Sequence, residues 1–98
     1  MSIVEVSEKN IAQAIQQQQP NAKVAVVLSG NHAKLVIVDD HFQGLSSLKR
    51  QQAVYAALTN WIQSGQLHAV NMETFTATEW RTQSLLREDV HFHPLSIA

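Results

Sequence analysis

Along the chain the spacing of apolar positions changes several times, and each change marks a structural element. Ile11 and Ile15, with Ala12 beside them, recur at helical spacing. Ser7 stands where an N-cap belongs, and Val6 and Ile11 occupy the two positions of a hydrophobic staple. Pro20 blocks continuation, so the glutamine run Gln16–Gln19 reads as the end of this helix rather than as low complexity. From residue 23 the pattern shortens. KVAVVL (23–28) and AKLVIV (33–38) are β-branched runs of strand length, and the intervening SGNH offers Gly30 for a positive φ. They predict a β-hairpin. Both of its faces carry apolar residues, so one face must lie under helices and the other is at least partly covered or sticky.

Helical spacing returns after the turn at Phe42-Gln-Gly44. Ser46 or Ser47 caps a long helix in which Leu48, Tyr55, Leu58 and Ile62 share a stripe, with Val54 and Trp61 beside it. That stripe is expected to face the sheet and to bury Tyr55, Leu58 and Ile62. Gly65 closes the helix as a C′ residue. HAVNMETF (68–75) reads as a third strand with Val70 and Met72 on one face. Thr76 and Glu79 form a capping box for a last short helix, with Phe75 and Trp80 in the staple positions. The stretch from Ser84 onward has no clear period.

The predicted class is α+β: a two-layer sandwich in which helices cover one face of a three-stranded mixed sheet. The hairpin is antiparallel, and the long helix is a crossover that permits a parallel pairing with the third strand. Residues 1–84 are expected to form the domain, and 85–98 a tail that is mobile or merely docked.

Composition narrows the chemistry. The 98 residues suit one modest core, and three Gly with two Pro do not suit a disordered or fibrous chain. No apolar run is long enough to span a bilayer and the N-terminus lacks the layout of a secretory signal, so a cytoplasmic protein is the expectation. Zero Cys removes thiol nucleophiles, disulfides and thiolate metal sites, leaving five His as the soft-metal ligands. A net charge of −1 supplies no global field for nucleic acid. No Gly-rich phosphate loop or nucleophile constellation appears, so an enzyme is the least supported class. Glu79 is better explained by its capping box.

VIVDDHFQGLSSLKRQQAVYAAL followed by LHAVNMETFTATEW resembles the BolA family. Its pattern is met by Phe42, Gly44, Ser46, Arg50, Val54, Tyr55, Leu58, His68, Thr76, Glu79 and Trp80. LKRQQAVY is closer to the IbaG-like branch. The match runs over roughly residues 28–80, and the tail departs from it. The resemblance implies a fold similar to the class II KH domain, written α-β-β-α-(α)-β-α. It also implies one of two roles. The first is an adaptor that binds a monothiol glutaredoxin and shares a [2Fe–2S] cluster with it and glutathione. The second is a DNA-binding transcriptional regulator. A weak homodimer is also expected.

For the adaptor, the resemblance makes His68 a cluster ligand and the hairpin loop, here His32, the source of the second. Composition alone would make His68 a partly buried histidine satisfied by a neighbouring carbonyl, and His32 an exposed turn residue. Two imidazoles can replace two thiolates on one iron of such a cluster, and neutral imidazole leaves more readily than thiolate because it can be protonated. That chemistry suits transfer. His91 and His93 have alternate spacing, which chance on a tail explains, and His41 belongs to a loop. For DNA the candidates are Lys49 and Arg50 at the start of the long helix, with Lys23 and Lys34 on the hairpin. QGLSS has one Gly, so the G-x-x-G grip of KH domains is absent, and a solvated helix start explains the basic pair equally well. If the sheet forms as predicted, His32 and His68 should lie on one side of the molecule.

Overall fold

A computed structural model describes residues 5–94. The chain runs α1 (Glu8–Gln18), β1 (Lys23–Ser29), β2 (His32–Val38), a 3-10 turn (Asp40–Phe42), α2 (Ser47–Gln63), β3 (Ala69–Phe75) and α3 (Ala77–Ser84). The sheet order is β1-β2-β3, with β1 and β2 antiparallel and β2 and β3 parallel. The α+β class and its mixed sheet are therefore as expected; among the described residues the optional helix between the long helix and the third strand is absent, and the extra helical piece is the 3-10 turn ahead of α2.

Local chemistry sets the boundaries. The Ser7 hydroxyl accepts from the Asn10 N–H and starts α1; the Ser46 hydroxyl accepts from the Lys49 N–H and starts α2. Gly30 opens the two-residue hairpin loop at φ +59°, the value a type II′ turn requires at its first position. Gly65, at φ +81°, ends α2 as a left-handed residue beyond the Ser64 cap. Thr76 and Glu79 close both bonds of the capping box at the start of α3. The glutamine run forms the end of α1 with Gln19 as its cap, and it is two-sided. Gln17 and Gln18 are exposed, whereas Gln19 is buried and its amide donates to Asp39 Oδ2 at 2.8 Å, tying the end of α1 to the end of β2.

The main core lies between the sheet and the two longer helices. Ile11, Ala12 and Ile15 of α1 meet Val24, Val26, Leu35 and Ile37 of the sheet, and Val54, Leu58 and Trp61 come from α2. The second face is covered differently. Ala25, Val36 and Val38 pack with Phe75, Trp80, Val90 and Phe92, so α3 and the segment after it form a smaller apolar layer there. Of the described tail, Leu85 and Leu86 are exposed and Val90 and Phe92 dock on this face; residues 95–98 of the expected tail lie outside the description.

The stripe of α2 differs from expectation. Leu58 is fully buried, but Tyr55 and Ile62 are each 38% exposed and Leu48 is 64% exposed. The buried line is Val54, Leu58 and Trp61, at spacings of four and three. It is centred about one residue away from the expected stripe, with the half-buried Ala53 and Ala57 completing it. Counting large side chains misplaces such an interface, because alanines let α2 approach its neighbours closely. Tyr55 also keeps its hydroxyl at the rim, 3.5 Å from the Val70 carbonyl.

Leu58→Ala should therefore cost about 2–5 kcal/mol in denaturant unfolding, and Tyr55→Ala less than about 1.5 kcal/mol. Equal losses at the two positions would contradict this packing of α2.

Candidate functional site

The two histidines singled out by sequence meet at one end of the sheet. The hairpin loop ends at Asn31, so His32 is the first residue of β2 and stands in register with Ala69 of β3. The approach to β3 is fixed just as closely. Leu67 is buried and its N–H donates to the Trp61 carbonyl at 3.1 Å, which folds the chain back under the end of α2. The next N–H, that of His68, donates to the Asn31 carbonyl at 2.9 Å, and the Ala69 N–H reaches the same oxygen at 3.4 Å. His68 and His32 thus flank one shared carbonyl junction, and both are exposed. The His68 ring lies beside Gly65: a Cβ built there would stand 3.8 Å from Nε2.

Neither histidine is buried, so each can present its ring to another molecule without unpacking the core. A buried Leu67 on one side and a backbone junction on the other make a fixed base for them. Among the described residues there is no group of three or more His, Cys, Asp or Glu that could hold a metal ion. Among the described residues, His32 and His68 are thus two exposed imidazoles without a third such group beside them. His41 is elsewhere, in the 3-10 turn at the opposite end of β2, where its N–H donates to Asp39 Oδ1 at 3.0 Å. His91 and His93 belong to the docked tail, with the His93 N–H bonded to the Val24 carbonyl.

The basic candidates separate. Arg50 is only 13% exposed and is committed within the fold. Its Nε donates to the Leu45 carbonyl at 3.0 Å, and its Nη1 to the Thr74 carbonyl at 3.3 Å and to Glu79 Oε1 at 2.8 Å. It also stands over the ring of the buried Phe42, 5.7 Å from the centroid. One side chain thereby joins the turn before α2, the end of β3 and the capping box of α3. Lys49 is exposed. Lys23 and Lys34 project from the second face of the sheet, opposite the layer that contains α2, so the four residues make no common patch.

Sequence reasoning missed the role of Asp40. Its Oδ1 accepts from the Ala77 N–H at 2.9 Å and so satisfies the first turn of α3. An acidic pair directly after a strand was the available signal, but its target lies 37 residues away. The Arg87–Glu73 contact of 2.6 Å, which fastens the tail to β3, was equally invisible.

A small two-layer α+β domain with a three-stranded mixed sheet in the order β1-β2-β3 is the class that the fold defines. The chain belongs to the BolA family: the family's model, described as BolA-like protein, matches residues 2–79. It is 38% identical to an uncharacterised protein of the rpoN–murA intergenic region of Acinetobacter guillouiae, over 82% of this chain and 96% of that one. It is 36% identical to the acid stress protein IbaG of Escherichia coli K12, over 59% of this chain and 69% of that protein. The structure of a BolA homologue from Coxiella burnetii superimposes with a TM-score of 0.68 at 29% identity, covering 79% of this chain and 99% of that one.

Arg50→Ala should cost about 1–3 kcal/mol, because it strands bonded backbone carbonyls as well as Glu79. Arg50→Lys should recover little, since a point charge cannot reach all three partners, while Lys49→Ala should stay within about 0.5 kcal/mol. Comparable losses at 49 and 50 in denaturant unfolding would contradict the structural role of Arg50.

The Arg50 side chain also holds the Glu79 carboxyl below its ordinary value of 4.5, helped by the Thr76 N–H. Because the folded-state value is depressed, the stabilisation is fully present above about pH 4.5 and is lost as pH falls through the lower folded value. Glu79 is about half exposed, so solvent screens the effect. The stability gap between wild type and Glu79→Gln should therefore shrink below about pH 4.5 in thermal melts. A gap that persisted unchanged at lower pH would contradict this linkage.

Proposed function

We propose that this BolA-family protein is an adaptor. It binds a monothiol glutaredoxin and contributes His68 and His32 to a [2Fe–2S] cluster shared with that partner and with glutathione. The supporting observation is the exposed pair at the Asn31 junction, in a chain that has no thiol. When bound, the cluster supplies an iron that accepts imidazole nitrogen. This chain supplies two such nitrogens on a backbone held by Leu67 and the hairpin. The partner and glutathione supply the thiolates. The incomplete ligand set of this chain favours handover, because two imidazoles without a thiol do not retain the cluster by themselves. We place the protein in iron–sulfur assembly, trafficking or iron and stress signalling, and its likeness to a protein named for acid stress makes growth under acid challenge the phenotype to examine.

The alternative, a DNA-binding regulator, has less support. Such a protein should gather Lys and Arg on one face, whereas Arg50 is engaged internally and Lys49 lies in a different layer from Lys23 and Lys34.

Titrating the chain into a cluster-loaded monothiol glutaredoxin tests the adaptor reading by visible absorption and circular dichroism. A new spectrum should appear at equimolar protein. His68→Ala should keep the fold, as an exposed residue outside the core, yet alter the spectrum and shorten the cluster's lifetime. His32→Ala should do so more mildly. An unchanged spectrum on mixing, or a His68→Ala complex with the spectrum and lifetime of wild type, would refute the reading.

A further inference from the structure

Between Arg50 and Glu73 the sequence holds no Asp, Glu, Lys or Arg. Most of α2 lies in that stretch, and a surface helix ordinarily carries charge on its solvated side. The other two helices do so: α1 exposes Glu8 and Lys9, and α3 exposes Glu79 and Arg81. Beyond Arg50, α2 instead exposes Gln52, Tyr55, Ala56, Thr59 and Ile62. The exposed Leu48, Tyr55 and Ile62 recur every seven residues, so they follow one line along the helix for about 21 Å. An uncharged surface with a tyrosine and two large aliphatic side chains is unusual for a helix that faces only water.

This line is the shoulder of α2 above the outer edge of β3. The Tyr55 hydroxyl stands 3.5 Å from the Val70 carbonyl, and the half-buried Val70 and Met72 continue the apolar surface onto the strand. The strand edge itself is not free for a further strand. The Ala69 N–H and the Phe75 carbonyl bond on the β2 side, so the outward groups are those of Val70, Met72 and Thr74. Two of these carbonyls meet α2 side chains, Val70 at Tyr55 and Thr74 at Arg50. A body lying here therefore meets side chains rather than strand backbone. At its C-terminal end the line reaches the histidine site. The Gly65 N–H donates to the Ile62 carbonyl at 3.2 Å, and a Cβ built on Gly65 would stand 3.8 Å from His68 Nε2.

We infer that this shoulder of α2 is the docking surface for the cluster-bearing glutaredoxin, with Ile62 beside the His68 ligand and Leu48 at the far end. The inference rests on the adaptor reading and adds to it the face on which the partner sits. Ligation selects the occupant. A protein whose thiolates complete a cluster held at His68 must cover the surface around that ring, and this shoulder adjoins it. Its composition suits contact, because interface cores are depleted of charge and enriched in aromatic residues. Its size decides how strong the contact is. A strip about 21 Å long and roughly 10 Å wide offers on the order of 200 Å², far below the ~800 Å² per partner of a stable interface. The strip therefore orients a partner that the cluster anchors, and it releases that partner once the cluster has moved. A second copy of this chain brings no thiol to the cluster and so lacks that anchor.

Equilibrium titration of the full chain into cluster-loaded monothiol glutaredoxin, read by visible circular dichroism, tests this with Ile62→Lys and Leu48→Glu. Both charges suit the helix dipole, a cation in the last turn of α2 and an anion in the first, so the fold should be kept. Each variant should bind at least about tenfold more weakly yet reach the wild-type spectrum at saturation, because both histidines are intact. Val27→Lys, at an exposed position on the opposite face of the sheet from Val24 and Val26, should bind as wild type. Far-UV circular dichroism verifies folding; if Ile62→Lys does not fold, Leu48→Glu alone decides, since it lies about 21 Å along the helix from Ile62 and leaves the ligands untouched. Folded variants with wild-type affinity would overturn this inference and leave the adaptor reading in place. A wild-type chain that does not bind at all would overturn both. A wild-type chain that sediments as a dimer, and that Ile62→Lys separates, would assign the shoulder to a second copy and overturn the inference.

Discussion

The parallel pairing of β3 with β2 is the constraint on which the rest of this structure depends. It makes β2 the central strand, buried on both faces, and obliges the chain to cross over through α2 before returning. Because the pairing is parallel, both strands begin at the same end of the sheet. His68 and Ala69 arrive beside Asn31 and His32, two segments more than 30 residues apart in sequence. At the far end the same register brings Phe75 alongside Val38, where Asp39, Asp40, Arg50 and the capping box of α3 can interlock. One end of the sheet therefore presents exposed imidazoles while the other is closed by bonded polar groups.

Much of this was legible in the sequence, for physical reasons that can be named. Caps and left-handed glycines act locally, so Ser7, Gly30, Gly65 and the Thr76–Glu79 box could be placed from neighbours alone. The hairpin and the crossover followed from strand-length runs joined by connections of the right size. The histidine pair was legible mainly through family resemblance; the sheet register then brought the two residues together. What stayed hidden depends on partners distant in sequence. Nothing near Arg50 reveals that its targets are at 45, 74 and 79. The face of α2 was misplaced because pattern reading weights Tyr55 and Ile62 above Ala53 and Ala57, whereas close packing favours the smaller residues. The tail was hidden for a related reason: Val90 and Phe92 find their surface on a face that exists only after the sheet has formed.

The two faces of the sheet also differ in kind. Helices α1 and α2 bury the centre of one face, with Leu58, Phe42 and Leu67 fully enclosed and Leu28, Val70 and Met72 half-buried at its rim. The other is covered in patches by α3 and the segment that follows it, where the ring of Trp80 meets Phe75 at a tilt (5.2 Å between centroids) and Phe92 edge-on (5.5 Å), with Arg87 over Trp80. The matched stretch of the family stops at residue 79, so the segment after α3 lies outside it. No helix among the described residues is long and apolar enough to cross a membrane.

We propose that the shared junction of β2 and β3 is where this protein meets a cluster-bearing partner. Amide resonances of the isotopically labelled chain in a one-to-one mixture with cluster-loaded monothiol glutaredoxin test this most directly, because paramagnetic broadening falls steeply with distance. The account predicts that broadening centres on Asn31–His32 and Gly65–Ala69 and leaves α3 and the segment after it sharp. Broadening centred on Lys49 and the start of α2, or spread evenly over the chain, would contradict it.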